Sequence, residues 1–237
     1  IGFLTLAGTA YTLKFLWAPL VDRFAPPWLG RRRGWMLLTQ WLLAASIAAM
    51  GLFSPGSQLQ SLALLAVWVA FLSSTQDIAF DAYSTDVLRH EERAAGAALK
   101  VMGYRLAMVV SGGLALILAD QWLGWGNMYF LMGGLMMLAS LATLWAPEPE
   151  HVAQAPRSLE HAVVEPLREF FSRPGAWTIL LLIVLYKLGD AFAGALSTTF
   201  LIRGAGFDVT EVGMVNKVFG LVATIIGALA GGGLMTR

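Results

Sequence analysis

The chain has 237 residues, of which 57% are hydrophobic and only 13% are charged. A soluble domain carries about 25% charged residues, so this composition excludes an ordinary soluble enzyme and also a disordered chain. Sixteen basic and fifteen acidic residues give a net charge of +1, and no basic bias points to nucleic acid as a partner. The sequence has no cysteine, which excludes disulfides, Cys-ligated metal centres and thiol nucleophiles.

Long apolar stretches determine the predicted fold class. A membrane-spanning helix needs about 20 mostly apolar residues. Windows of that kind lie at residues 1–21, 35–53, 61–83, 95–119, 126–146, 176–202 and 210–236. None of them shows the strict apolar–polar alternation of a membrane β-barrel strand, and helices satisfy their own backbone hydrogen bonds in hydrocarbon. We therefore predict an all-α fold, a polytopic transmembrane helical bundle.

The basic residues alternate between successive loops. The first, third and fifth loops and the C-terminal end hold ten arginines: Arg23, Arg31, Arg32, Arg33, Arg89, Arg93, Arg157, Arg168, Arg173 and Arg237. The second, fourth and sixth loops hold only Arg203. Because cytoplasmic loops of membrane proteins carry an excess of Lys and Arg, we expect the first set of loops to face the cytoplasm.

The connections between windows differ in length. Residues 54–57 and 124–127 are short and have turn composition. The connection at 147–175 is longer, and the apolar side chains of residues 158–171 fall near one helical stripe. We expect a short amphipathic helix on the cytoplasmic surface, kinked or split at Pro166; a plain linker is the alternative.

The long connection leaves five windows before it and two after it. That count is explained if the chain is an internal piece of a longer protein, with one helix before Ile1 and four after Arg237. The predicted units are an N-terminal transmembrane bundle at 1–146 (five of six helices), a cytoplasmic linker at 147–175, and the first two helices of a C-terminal bundle at 176–237. Such a plan of two halves is found among secondary transporters.

The first cytoplasmic loop carries a charged motif. Asp22 lies at a helix end, where it can pair with a cytoplasmic arginine or a helix N-terminus and hold the two halves in one state. The alternative is that the arginine cluster only fixes the topology. The loop resembles the Gly-x-x-x-Asp-Arg-x-Gly-Arg-Arg signature of the major facilitator superfamily, although Ala18 replaces its first glycine and five residues are inserted before its second. The matching residues, which we expect to form a cytoplasmic latch, are Asp22, Arg23, Gly30, Arg31 and Arg32.

Longer strings resemble the AmpG-type muropeptide permeases of Gram-negative bacteria, nearly continuously along the chain. They include residues 14–20, 76–82 with 85–88, 103–108 with 111–116, and 185–193. The resemblance implies a multi-pass importer of the bacterial inner membrane that carries GlcNAc-anhydroMurNAc peptides into the cytoplasm for cell-wall recycling. It further implies dependence on the proton gradient and a link to β-lactamase induction. We expect a small glycopeptide substrate and protons as partners, a lipid environment, a monomer and no cofactor.

Two carboxylates inside one apolar window are candidates for proton coupling. Asp77 and Asp81 are four residues apart and therefore share one helix face. Like charges this close in a low-dielectric site cannot both ionise easily, so one of the two carboxyl groups can hold a proton near neutral pH. The alternative is that both carboxylates simply pair with arginines or backbone donors near the helix end.

The remaining ionisable groups in the windows are candidates for substrate contact, because charges in hydrocarbon are costly and usually functional. Arg105 has no acidic residue three or four positions away in its own helix, so it needs a carboxylate on another helix or on the substrate. Lys187 and Asp190 are spaced i, i+3, so they can instead form a structural pair with each other. The predicted substrate contacts are Lys100, Tyr104, Arg105, Lys187 and Asp190, and Lys14 and Lys217 are further candidates.

Other classes of protein have less support. The sequence has no His-Glu-x-x-His, Gly-x-Ser-x-Gly or P-loop motif, which argues against an intramembrane enzyme. Single charges scattered over several windows favour a gated central cavity over a channel lined by charged rings. The alternatives that remain are another major facilitator, carrying a sugar, a drug or acyl-CoA, and a membrane sensor that transports nothing.

Overall fold

The structure, a computed structural model, describes residues 2–147, 149, 158–208 and 220–235. Every regular element within these ranges is helical, which confirms the predicted all-α fold. Residues 150–157 of the predicted linker and residues 210–219 of the last apolar window lie outside the described residues.

The α-helices of the described residues, in chain order, are α1 (Gly2–Leu13), α2 (Ala18–Arg23), α3 (Arg31–Met50), α4 (Leu59–Val87), α5 (Arg93–Val109), α6 (Ala115–Leu118), α7 (Gly124–Trp145), α8 (Leu159–Ser172), α9 (Ala176–Thr199) and α10 (Gly220–Met235). Short 3₁₀ turns lie at Lys14–Leu16 and His90–Glu92, and π-helical turns lie at Val110–Leu114, Ala119–Leu123 and Phe200–Gly204. The helical runs with the length and composition of a membrane span are Leu59–Val87, His90–Trp145 and Ala176–Ala193.

The first predicted window is not one helix. Helix α1 ends at Leu13, the chain passes through the 3₁₀ turn Lys14–Leu16, and α2 begins at Ala18. The cause is Pro19, which lacks the N–H that an uninterrupted helix would need and is instead accommodated in the first turn of α2. The prediction of a single helix over 1–21 is therefore wrong at its C-terminal end.

The chain reverses at Gly124, whose φ of +74° is a conformation that favours glycine. Ala115 and Ala119, before this residue, pack against Met128 after it. A straight helix would separate Ala119 from Met128 by roughly 13 Å, so the 56-residue run is folded into two passes. The predicted turn at 124–127 is too long, because residues 125–127 already belong to α7.

Helices α3 and α7 are antiparallel and pack through small residues. A β-carbon added to Gly133 would lie 2.8 Å from the carbonyl oxygen of Ala44, and one added to Gly51 would lie 2.6 Å from that of Gly126. Contacts this short mean that the two backbones approach closely, as small residues allow between membrane helices. The 54–57 turn that follows α3 is present as predicted, with hydrogen bonds to the Ser54 carbonyl.

Helix α4 is held against the first segment of the chain by two side-chain hydrogen bonds. The Tyr11 hydroxyl donates to Ser73 Oγ at 2.7 Å, and the Trp17 indole donates to Thr75 Oγ1 at 3.1 Å. The Trp17 ring also packs on Phe71, with centroids 5.0 Å apart. Lys14 lies between these two anchors, so the same contacts bring it beside the next turn of α4.

One end of the bundle collects the arginines that the sequence analysis assigned to the cytoplasm. We call this end, defined by Arg23, Arg31–Arg33, Arg89 and Arg93, the basic end. Arg33 donates to the carbonyls of Thr143 and Leu144 at the end of α7, at 3.2 and 2.6 Å. A cation at a helix C-terminus is favourable, because the last carbonyl groups there have no partners within the helix.

The predicted helix in the linker is present as α8. It continues through Pro166 as one element, so the expected split at that proline is wrong. The Ser158 side chain caps its first turn by accepting from the His161 N–H at 3.1 Å. Helix α8 packs on α2 at the basic end, and farther along the chain α10 packs on α5.

The close approach of α3 and α7 generates a matched pair of substitutions. We expect Gly133→Ala to destabilise the intact protein by about 1–3 kcal/mol, because its methyl group meets the Ala44 carbonyl. Gly134→Ala is the control: its methyl group meets open space, and alanine favours the helix by up to about 1 kcal/mol. Thermal unfolding in detergent measures both, and a Gly133→Ala protein as stable as the control would contradict the packing.

Candidate functional site

A cavity of about 1030 Å³ opens between α4 and α5. Its floor includes Leu43 from α3 and Met136 from α7, so every long helix between residues 31 and 145 contributes to its wall. The polar and aromatic residues that line it are Ser73, Gln76, Asp77, Phe80, Asp81, Tyr83, Ser84, Thr85, Arg93, Lys100 and Tyr104. A cavity of this size can hold a small organic molecule.

Helix α4 presents its two carboxylates to this cavity because its opposite face is buried. Ala79, two residues from each carboxylate, is fully buried in the apolar cluster that packs α4 against α2 and α3. Asp77 and Asp81 lie on the open face, with side chains 51% and 47% exposed. Asp77 is roughly 15 Å along the helix from its end at Val87. The shared face predicted from their spacing is therefore present.

The two carboxylates form one ionic cluster with two lysines. Lys14 Nζ lies 3.8 Å from Asp77 Oδ2 and 3.9 Å from Asp81 Oδ2. Lys100 Nζ, from α5, donates a hydrogen bond to Asp81 Oδ1. Asp81 is thus the shared counter-ion of two lysines from different segments. Neither prediction for Asp77 and Asp81, like-charge repulsion alone or pairing with arginine, included these lysines.

Lys100 and Tyr104 share the cavity face of α5, one turn apart. The Lys100 ammonium group also lies 5.5 Å from the centre of the Phe80 ring, a geometry that attracts a cation to an aromatic face. Tyr104 is 62% exposed, so its ring and hydroxyl are available to a bound molecule. The structure therefore brings together four of the predicted residues: Asp77, Asp81, Lys100 and Tyr104.

Arg105 lies on another face of α5. At 100° per residue it is about 140° around the helix from Lys100, and it does not line the cavity. Its Nε is buried and has no hydrogen-bond partner among the described residues. As expected, Arg105 has no acidic partner in its own helix. The structure also places Arg105 outside the ionic cluster that contains Lys100.

Lys187 and Asp190 lie apart from the cavity, on α9. Their charged groups are 3.7 Å apart, so they form the i, i+3 pair that their spacing allowed. Both side chains are exposed among the described residues. Their role in substrate contact stays a prediction.

The charged motif of the basic end is organised around Arg32. Its guanidinium group donates to Asp22 Oδ1 at 2.5 Å and to Asp86 Oδ2 at 2.8 Å. The Arg32 side chain is only 10% exposed, and the three residues join the ends of α2, α3 and α4. The predicted pairing of Asp22 with an arginine is confirmed, and Asp86 is a member that the motif alone did not indicate.

The other motif residues surround this network. The Arg23 guanidinium lies 5.8 Å from the centre of the Phe24 ring. Gly30 has a φ of +76° and directly precedes the first residue of α3, which explains the glycine at this motif position. Arg31 is buried at the start of the same helix. Within the described residues the motif therefore fastens three helices at one end of the bundle.

Comparison with known sequences identifies the family. The sequence profile of the Major Facilitator Superfamily matches residues 1–237.

The chain belongs to this superfamily.

The family match and the apolar helical runs together show that the chain is part of a multi-pass membrane protein.

The relatives of this major facilitator chain include two proteins of Escherichia coli, strains K12 and O157:H7. Both are named "Anhydromuropeptide permease" and are 64% identical over 237 residues, which is all of this chain and 48% of each of them. An uncharacterized protein of Haemophilus influenzae is 42% identical over 243 residues. The match covers 100% of this chain and 56% of the Haemophilus protein. The chain thus spans about half the length of the curated relatives it matches.

Several residues of the major facilitator cavity were not identified from sequence. Gln76 precedes Asp77, and its Oε1 is buried with no hydrogen-bond partner among the described residues. Phe80 supports Lys100, and Arg93 lines the cavity while donating to the Thr85 carbonyl at 3.4 Å. Gln76 and Phe80 flank the two carboxylates in sequence, which is the signal that could have found them. Arg93 gave no local signal beyond its place in a basic loop.

The Arg32 network generates a prediction that compares two arginines of the chain. Arg32→Gln removes both charge-assisted hydrogen bonds and the cation that Asp22 and Asp86 share, so we expect a loss of about 2–4 kcal/mol in stability. Arg173→Gln breaks only the exposed pair with Glu169 and should cost less than about 1 kcal/mol. Thermal unfolding of the full-length protein in detergent compares them. Equal stabilities of the two variants would mean that Arg32 only marks the topology.

Proposed function

We propose that this chain is part of a proton-coupled importer of anhydro-muropeptides in the bacterial inner membrane. The observation that carries the proposal is the ionic cluster of two lysines and two aspartates in a cavity between membrane-spanning helices. Ionised groups in a membrane bundle are costly and usually serve transport. The 64% identity to proteins named "Anhydromuropeptide permease" indicates the class of cargo.

The chemistry of the cavity suits such a cargo. An anhydro-muropeptide joins sugar rings to a peptide that carries several carboxylates. Lys100 offers a cation for a carboxylate, and Tyr104 offers an exposed ring and hydroxyl for a sugar. We assign further contacts to Arg105, and to Lys187 and Asp190 on α9, which the remaining helices of the full-length protein would have to bring towards the same cavity.

Asp77 is our candidate for the proton-carrying group. It is the deeper of the two carboxylates, and its nearest cation, Lys14, lies at 3.8 Å, whereas Asp81 accepts a hydrogen bond from Lys100. The charged groups that face Asp77 are Lys14 from the first segment, Asp81 on its own helix and Lys100 on α5. We assign the proton to Asp77 because it is the deeper carboxylate and has the weaker contact to a cation.

Transport would proceed by alternating access between the two halves of the full-length protein. Coupling requires that cargo and proton bind the inward-open and outward-open states with different affinities. The Arg32 network joins α2, α3 and α4 into one unit at the basic end, and this unit forms part of the cytoplasmic latch. The basic end then faces the cytoplasm, in agreement with the positive-inside rule.

The proposal places the protein in cell-wall recycling. An importer of anhydro-muropeptides returns wall fragments to the cytoplasm, and the imported fragments would provide the link to β-lactamase induction. Residues 1–146 would belong to the N-terminal bundle, 147–175 to the cytoplasmic linker and 176–237 to the C-terminal bundle. We propose that the full-length protein acts as a monomer.

The proton-coupling role of Asp77 is tested by Asp77→Asn in the full-length protein. We expect uptake of anhydro-muropeptide into energised membrane vesicles to fall at least about tenfold and to lose its dependence on the proton gradient, because the amide cannot titrate. Asp120→Asn, a carboxylate removed outside the cavity at the other end of the bundle, is the control and should transport normally. Uptake by Asp77→Asn that still follows the proton gradient would remove Asp77 from the mechanism.

A further inference from the structure

Asp81 has both of its carboxylate oxygens engaged. Oδ1 accepts a hydrogen bond from Lys100, and Oδ2 lies 3.9 Å from the Lys14 ammonium group. The two lysines come from segments that are distant in sequence. Asp81, which lies on α4, therefore connects the first segment to α5 by ion pairs. Asp77, one turn deeper on the same face, has an ion-pair contact only with Lys14 among the described residues.

Lys100 has a second attractive contact besides Asp81. Its ammonium group lies over the Phe80 ring at 5.5 Å, and its side chain is 51% exposed to the cavity. If the carboxylate moved away, the aromatic face would still favour the cation at this place. Lys100 is therefore a prepared receptor for a carboxylate, and in the structure that carboxylate is Asp81.

We infer that Asp81 is an internal competitor for the cargo. It occupies the Lys100 ammonium group while the cavity is empty, and a carboxylate of the cargo takes its place. This inference rests on the proposed function, because it requires a cargo that carries carboxylates. It goes beyond that function by giving Asp81 a role in selecting the cargo rather than in carrying the proton.

Two features of the cluster make the exchange easy. The Lys100–Asp81 pair is about half exposed, and exposed ion pairs contribute little net stability, so breaking the pair costs little. Lys14 remains beside Asp81 Oδ2, so the displaced carboxylate keeps a counter-ion. A cargo without a carboxylate cannot replace Asp81 at Lys100, and the cavity thereby discriminates against neutral molecules of the same shape.

Equilibrium binding to the full-length protein tests the inference with two cargoes. One is the anhydro-muropeptide with a tripeptide stem, and the other is the same molecule with its carboxylates converted to amides. We expect Asp81→Asn to increase the affinity for the carboxylate form about three- to tenfold and to leave the affinity for the amide form unchanged. Adding Lys100→Gln to Asp81→Asn should abolish the gain, because the receptor is lost.

The Lys100→Gln background is the matched control, because it keeps both aspartates and removes only the lysine for which Asp81 is inferred to compete. If Asp81 acts only by general repulsion of an anion, Asp81→Asn raises the affinity in this background as well; if it competes for Lys100, the gain is confined to the protein that keeps Lys100. A gain in the Lys100→Gln background, a gain with the amide cargo, or no gain for a folded Asp81→Asn would overturn the inference.

A single substitution keeps the test decisive even if Asp81→Asn does not fold. Lys100→Gln should lower the affinity for the carboxylate form to about that for the amide form, and an unchanged preference for the carboxylate form contradicts the inference. A wild-type protein that binds neither cargo would refute the proposed function itself and this inference with it. A wild-type protein that binds both, without the changes expected for the variants, would refute the inference alone.

Discussion

A charge inside a membrane bundle requires either a counter-charge or water, and this requirement governs how the described helices are arranged. At the basic end, two aspartates from two other helices supply the counter-charge of Arg32. Deeper in the bundle, Asp77 and Asp81 supply the counter-charges of Lys14 and Lys100, and these pairs are half exposed to a cavity. The difference in exposure separates the two clusters: a nearly buried ion pair fastens helices together, whereas a half-exposed pair is free to exchange partners with a ligand.

The packing of the bundle supports that division. Helices α3 and α7 are fastened through glycine and alanine along their length, and α4 is fastened to the first segment through Tyr11 and Trp17. These contacts hold α4 with one face buried and the carboxylate face open. Helix α5 closes the other side of the cavity and is contacted by α10, the described helix that lies farthest along the chain; π-helical turns follow α5 in the run that leads to α7. Lys100 thus comes from the helix that also meets the later part of the chain, whereas the carboxylates lie on α4, which packs against α1 and α3.

Periodicity and composition predicted the class of fold and the shared face of Asp77 and Asp81, because both follow from spacing within one helix. The division of the first window was signalled by Pro19 but missed, since hydropathy alone continues across it. What spacing could not provide was the identity of partners across helices. The charges on Lys14 and Asp86 were visible, but that Lys14 faces Asp77 and that Asp86 faces Arg32 depends on how α1, α3 and α4 pack. Arg105 and Lys100 were both predicted as substrate contacts because each is a charge inside an apolar window, although their spacing of five residues along one helix already places them on different faces. The π-helical turns of the α5–α7 run had no recognisable sequence signal.

The central claim is that the ionic cluster faces water in a cavity between helices and not lipid. These 237 residues contain no cysteine, and any cysteine in the rest of the full-length protein is first replaced by serine, so that a single introduced cysteine is the thiol that is labelled. Ala107 lines the cavity on α5, and Val109, at nearly the same depth, lies on the opposite face of that helix. A membrane-impermeant, charged thiol reagent should label Ala107→Cys rapidly and Val109→Cys hardly at all. Labelling of Ala107→Cys should be slower in the presence of anhydro-muropeptide, the proposed cargo. Equal labelling of the two positions, or no protection of Ala107→Cys by the cargo, would contradict the account.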